Sequence, residues 1–212
     1  MALHDVSLPA ARHEVATEQR LNILTFGGVR LAGADADAKG ATYPARLQAT
    51  LSAALPQIQV TVANEPAPGK TSADVPAALP GLIAKTGARL VIWGPGGRDV
   101  AARTNLDAFF AAVSGGIDAA RHGGADMILL DTTFVPSPGR MVLIEPYRDR
   151  LLAAATAKQV SVLRRHGLMR LWGEDGTLNL AARDPAERQL VARRLFSCVS
   201  QGLAGAIAAA VR

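Results

Sequence analysis

Three short stretches of this sequence place glycines beside charged residues directly after apolar runs. Gly27-Gly28-Val29-Arg30 follows residues 21–26, Asn64-Glu-Pro-Ala-Pro-Gly69-Lys70-Thr71 follows an alternating segment, and Gly96-Gly97-Arg98-Asp99 closes a run at 89–93. Glycine lets the backbone approach a ligand closely, and amides fixed on such loops can stabilise a developing oxyanion. Arg30, Lys70 and Arg98 add three cations, and the arginine fork matches a carboxylate or phosphate. The chemistry most directly available is therefore recognition of an anion. Acyl transfer would need in addition a nucleophilic hydroxyl and an imidazole to take its proton.

Candidates for those roles are few. Ser72, Thr71 and Thr25 bear hydroxyls near the ends of the apolar runs, and His122 and His166 bear the imidazoles outside the N-terminal segment. His122 precedes Gly123-Gly124 and reads as a helix-end residue facing terminal carbonyls. His166 sits in a basic stretch and reads as a surface or packing residue. His4 and His13 have no metal-ligand spacing, and Asp99 and Asp131 read as caps or loop acceptors at strand ends. Cys198 is the only cysteine, which excludes a disulfide within the chain and a Cys-rich metal site, and it falls in an apolar helical pattern as a core residue. Trp93 and Trp172 read as packing residues. No cofactor and no metal follow from these residues.

The elements that must position the loops follow from periodicity. Apolar or alternating runs predict strands at 21–26, 57–63, 89–93, 126–130 and 160–163. Helical spacing predicts helices at 43–55, at 73–86 with a break near Pro80, from a cap at Thr104 or Asn105 to about 122, from Pro146 to about 158, and at 185–211. Leu190, Val191, Leu195, Val199, Leu203 and Ile207 form one face of that last helix. Strands alternating with helices predict an α/β fold, a three-layer α/β/α sandwich on a five-stranded parallel sheet. Ligands of such sheets bind beyond the strand ends. Residues 1–20 show no sustained period and read as an N-terminal arm, with residues 21–212 as one domain.

Composition narrows the classes. The chain has 212 residues, 49% hydrophobic and only 4% aromatic, which suits helices packed on a sheet and not a base-stacking surface. The net charge of +5 comes from scattered residues, densest at Arg164, Arg165 and Arg170, and does not imply nucleic acid. No run reaches the length of a membrane span and residues 1–20 lack a signal-like apolar run. A soluble chain is expected, with the compartment open, and the alanine-rich last helix could serve as a subunit contact.

The three loops, taken in order, resemble the first three sequence blocks of the SGNH (GDSL-type) hydrolases. The family's Gly-Asp-Ser block and following glycine share the frame of Phe26-Gly-Gly-Val-Arg-Leu-Ala-Gly33, with Gly28 at the Asp and Val29 at the nucleophilic Ser. Its second block, an Asn followed by a Gly-x-Thr turn, resembles residues 64–71, which makes Gly69 the oxyanion glycine. Its Gly-x-Asn-Asp block resembles Gly96 to Asp99, with Arg98 at the oxyanion Asn. The closing Asp-x-x-His block falls at 184–190, with Glu187 at the Asp and Leu190 at the His. The resemblance spans residues 21–210 and implies the sandwich with flavodoxin-like strand order.

On that register the catalytic Ser, Asn and His are Val29, Arg98 and Leu190, and Gly69 alone survives. The resemblance thus implies a divergent member with its catalytic residues replaced, in which residual hydrolysis is slight because triad members act as a unit. The expected role is binding of an anionic, carbohydrate or lipid-type small molecule at Gly27, Gly28, Val29, Arg30, Gly69, Lys70, Gly96 and Arg98. Two alternatives stand beside it. One is an active esterase or acyltransferase with a relocated nucleophile. The other is a deviant P-loop nucleotide-binding protein, since Asn64-x-x-x-x-Gly69-Lys70-Thr71 misses that pattern only in its first glycine and 127–131 resembles a strand ending in a magnesium-site Asp. Pro66 and Pro68 argue against it, because each removes an amide donor from the loop.

Overall fold

A computed structural model describes residues 6–27, 42–67, 69–134, 136 and 138–212, with the side chains of 138–142 outside that description. Five parallel strands, β1 (Arg20–Phe26), β2 (Gln59–Glu65), β3 (Leu90–Trp93), β4 (Asp126–Leu130) and β5 (Ser161–Leu163), form one sheet in the order β2-β1-β3-β4-β5. Central strands β1, β3 and β4 are apolar on both faces, as strands covered by helices on both sides must be. β2 lies at an edge and alternates in burial over most of its length.

Helices cover both faces. On one side α1 (Pro9–Glu18), α2 (Tyr43–Ala54) and α8 (Pro185–Val211) pack Ala11, Leu47, Leu51, Phe196, Leu203 and Ile207 against Leu21, Ile23, Leu90 and Ile128. On the other, α3 (Val75–Thr86), α5 (Leu106–His122) and α6 (Pro138–Ala157) pack Leu79, Phe109, Ile117 and Leu151 against Leu24, Val91, Trp93 and Leu129. Two further helices, α4 (Gly97–Ala102) and α7 (Arg165–Glu174), start directly beyond β3 and β5. The predicted sandwich and flavodoxin-like order are the observed ones.

Several local expectations are corrected. α6 begins eight residues before Pro146, and α3 runs through Pro80; each proline forfeits one backbone bond, while Leu79 and Ile83, or Leu151, keep the helix buried on the sheet. The arm read without a sustained period at residues 1–20 contains α1, which buries an acid beside Ala11. Glu14, 2% exposed, accepts bonds from Arg20 Nε at 3.1 Å, Asn22 N at 3.0 Å and Asn22 Nδ2 at 2.8 Å. Cys198 is half-buried and not a core residue. α8 is long and apolar enough to cross a membrane by length and composition, yet 50% of that window is buried against the rest of the fold.

Candidate functional site

The C-terminal ends of the strands share one edge of the sheet, so the chain leaves β1, β2 and β3 there. β1 ends at Gly27, whose φ of 78° suits glycine; a Cβ there would lie 3.5 Å from Trp93 Cδ1 at the end of β3. Gly28, Val29 and Arg30 lie outside the described residues. β2 leads to a turn at Gly69, φ 76°, with open space where a Cβ would stand. β3 leads to Gly96, φ 102°, where a Cβ would come within 3.1 Å of Thr132 Cγ2.

Asp99 ties the second loop to the third. It is 2% exposed, accepts from Ser72 N at 3.0 Å and Ser72 Oγ at 2.8 Å, and also from Gly96 N at 3.3 Å. Asn64 is anchored in turn by the Thr25 hydroxyl, which donates to its Oδ1 at 2.9 Å. Thr71 donates amide and hydroxyl to Asp74 Oδ2, at 2.8 and 3.2 Å, and starts a 3-10 turn at Ser72–Asp74 before α3. The Thr71 and Ser72 amides are therefore spent on carboxylates. A P-loop keeps those amides free for phosphate, so this loop has its sequence frame without its chemistry.

The cations part company. Lys70 lies 3.8 Å from Asp74, whereas Arg98 is exposed on the first turn of α4 with no acid of the described residues within ion-pair distance. The acids near it in sequence or expected near it are occupied: Glu65 with Lys85 at 2.8 Å, Asp99 with Ser72, Glu187 with Asn179 Nδ2 at 2.9 Å. Leu190 does not join the buried stripe expected of it. It is 49% exposed on α8, and neither it nor Glu187 contacts Gly69, Gly96 or Arg98 through a polar bond.

A second cluster, at the ends of β4 and β5, escaped the sequence reading. Asp131 is fully buried; its Oδ1 accepts from the His166 amide at 2.9 Å, its Oδ2 from Arg148 Nε at 3.4 Å, and its carbonyl from Arg165 Nε at 2.5 Å. Burial holds its pKa above the ordinary carboxylate value, against the pull of the His166 amide and the two arginines. His166 is 2% exposed, with Nδ1 3.4 Å from Thr132 Oγ1, Nε2 3.4 Å from Glu145 Oε1 but in no aligned hydrogen bond, and its ring edge-on to Phe134. Its pKa is lowered, by burial first and then by Arg148. It lies in the interior and not at the surface. Tyr43 lies close by in the core, its phenol pushed up to about 12 by burial. The available signal was positional: Asp131-Thr132 and Arg165-His166 end two strands that prove to be neighbours.

No group of three or more His, Cys, Asp or Glu able to hold a metal occurs among the described residues. His122 ends α5 as its sequence position suggested, and Asn105 caps the same helix by accepting from Asp107 N and Ala108 N.

Solved structures share this architecture. TesA is 24% identical with a TM-score of 0.65, covering 85% of this chain and 97% of its own. LAE5, an alpha/beta hydrolase enzyme from the metagenome of Lake Arreo, Spain, is 18% identical with a TM-score of 0.66, covering 87% and 95%. The acetyl xylan esterase AlAXEase is 13% identical with a TM-score of 0.66, covering 84% and 98%. At these identities the likeness is one of fold, and it is the SGNH hydrolase fold that the three loops suggested. A search of curated proteins finds no match to this chain. A family model matches residues 1–212 in full, and the chain accordingly belongs to the Non-GDSL lipase-like family.

Proposed function

We propose that this protein is a catalytically degenerate SGNH-fold member that binds an anionic small molecule, carbohydrate or lipid-type in its remaining chemistry, in the former ester cleft. The observation that carries the reading is where the cleft hydroxyls go. Ser72 donates to Asp99, Thr71 to Asp74 and Thr25 to Asn64 and the Ala63 carbonyl, so none of the three is paired with an imidazole. A hydroxyl committed to an acceptor of the fold, with no imidazole of the described residues beside it, is held as a structural group. The glycine turns at Gly69 and Gly96 persist, and the position of the oxyanion Asn carries the exposed guanidinium of Arg98, which has no acid of the described residues within ion-pair distance. An anion is the partner such a group accepts most readily.

One observation favours the alternative of an active ester hydrolase with a relocated nucleophile. Thr132 Oγ1, His166 and Glu145 Oε1 form a hydroxyl–imidazole–carboxylate row at 3.4 Å per step. Its weakness is access, since Thr132 and His166 are both buried. The test is incubation with a fluorophosphonate, then intact mass and peptide mapping. No adduct, under conditions that fully label a control esterase, supports degeneracy; a stoichiometric adduct on Thr132 or Ser72 overturns it. For the binding arm, Arg98→Ala should weaken an anion found by screening phosphates, uronates and sulfated sugars by about 1.5 kcal/mol or more, and unchanged affinity removes Arg98 from the site.

A further inference from the structure

A third apolar cluster stands apart from the two that sandwich the sheet. It joins Phe134, Met169, Leu178 and Leu195, with Leu180 and Val191 packed against it, between the segment after β4, α7 and the start of α8. It borders open space. Two adjoining cavities of about 170 and 330 Å³ share Phe134, Pro136, Asn179 and Leu180 as walls. The larger falls at the small end of the ~300–1,000 Å³ range of small-molecule sites.

Two residues decide what fits. Gly173, on α7, borders the larger cavity, and a Cβ there would point at Leu180 Cδ1, 3.3 Å away, and Phe134 Cε1, 3.8 Å away. Only glycine lets α7 close this tightly on Leu180 and Phe134, which wall the hollow. Arg188 borders the smaller cavity, half-buried, with no acid of the described residues within ion-pair distance. Its neighbours in sequence do not neutralise it: Asp184 accepts from the Glu187 amide at 2.9 Å, and Glu187 accepts from Asn179. A partly desolvated guanidinium at the rim of an apolar hollow is unfavourable alone and satisfied by an anion whose tail fills the hollow.

We propose that this pocket binds a soluble amphipathic monoanion, a carboxylate or sulfonate on one medium-length hydrocarbon chain, with the tail along Phe134, Pro136 and Leu180 and the head on Arg188. The proposal rests on Arg188 and the walls of the hollow and does not depend on the reading of the cleft at the ends of β1 to β3.

The test is a titration of the isotope-labelled chain with octanoate and, in parallel, with octan-1-ol, followed by amide NMR shifts. Saturable shifts at Gly173, Gly176 and residues 188–195 are expected, with the alcohol at least tenfold weaker, the size of one charge-assisted bond. Gly173→Leu should abolish both titrations, and Arg188→Gln should bring octanoate down to the affinity of the alcohol. Ala182→Leu, which fills the smaller cavity from a loop, serves as a second blocking variant if Gly173→Leu fails to fold. Absence of saturation, or folded blocking variants that bind like the parent, overturns the proposal. So does binding of the parent chain to phosphatidylglycerol vesicles without binding of free octanoate. Shifts confined to Gly69, Gly96 and Arg98 would place the anion in the cleft instead, and Arg98→Ala tells the two sites apart.

Discussion

Ser72 and Asp99, 27 residues apart, are joined twice: the Ser72 amide and hydroxyl both donate to the buried Asp99 carboxylate, at 3.0 and 2.8 Å. Since Asp99 also takes the Gly96 amide, one side chain holds the turn of Gly69 against the turn of Gly96. Asp99→Ala would strand three buried donors, each worth about 1–3 kcal/mol when unsatisfied. A loss of about 3 kcal/mol or more in urea denaturation is expected, against about 1 kcal/mol for Ser72→Ala. Equal losses would mean that the clamp does not depend on the two amides.

Gly116 of α5 faces Trp93. A Cβ there would sit 2.6 Å from Trp93 Cζ3, and the indole is 2% exposed. Alanine normally gains about 1 kcal/mol over glycine in a helix, whereas overpacking costs about 1–3 kcal/mol. Gly116→Ala should therefore lower the melting temperature despite its better helix propensity. A raised melting temperature would show that Trp93 can shift.

Glu14 connects α1 to the sheet through three hydrogen bonds made almost out of contact with water. Removing one partner of a buried charged pair costs about 3–5 kcal/mol, reduced here because Arg20 is itself largely solvated. Glu14→Ala is expected to lose about 2 kcal/mol in denaturant melts and to raise amide exchange at Asn22. Unchanged exchange at Asn22 would count against the anchor.

His166 makes stability depend on pH in a definite direction. Its folded pKa lies below the ordinary value, so between the two the unfolded chain binds more protons and stability rises with pH. Its contribution is complete above about 6.5 and is lost as pH falls through the folded pKa. Glu145 opposes this shift, while Arg148 and Arg170 reinforce it. Asp131, its pKa raised, acts with the opposite sign, and its contribution is lost as pH rises through its own folded pKa. Melts of the parent and His166→Gln at pH 5.5 and 7.5 separate the two: the parent should lose more stability at the lower pH than the variant does. An identical dependence would assign it to other groups.

The order of strands and helices was legible because it is written in local periodicity. A buried parallel strand is a short apolar run, and its exit is a glycine, whatever else the chain does; Gly27, Gly69 and Gly96 all adopt positive φ where such exits were read. The loops bearing Gly69, Gly96 and Arg98 were found for the same reason, and so was the family frame. Leu190 was misplaced because a helical stripe does not say where its partner surface stops, and the first turns of α8 project beyond the sheet-facing contact. Equally, nothing local marks His166, Asp131, Arg148 and Glu145 as one buried cluster, or Gly173 and Arg188 as the rim of one hollow. Those groups meet only because β4 pairs with β5 and α7 folds back toward α8. By itself the sequence determined the fold class and the glycine exits at Gly27, Gly69 and Gly96, because secondary structure and strand exits depend on near neighbours in the chain. Tertiary structure alone decided which charges are buried, which hydroxyls are already paired and where empty space remains, because burial and pairing depend on residues brought together from distant parts of the chain.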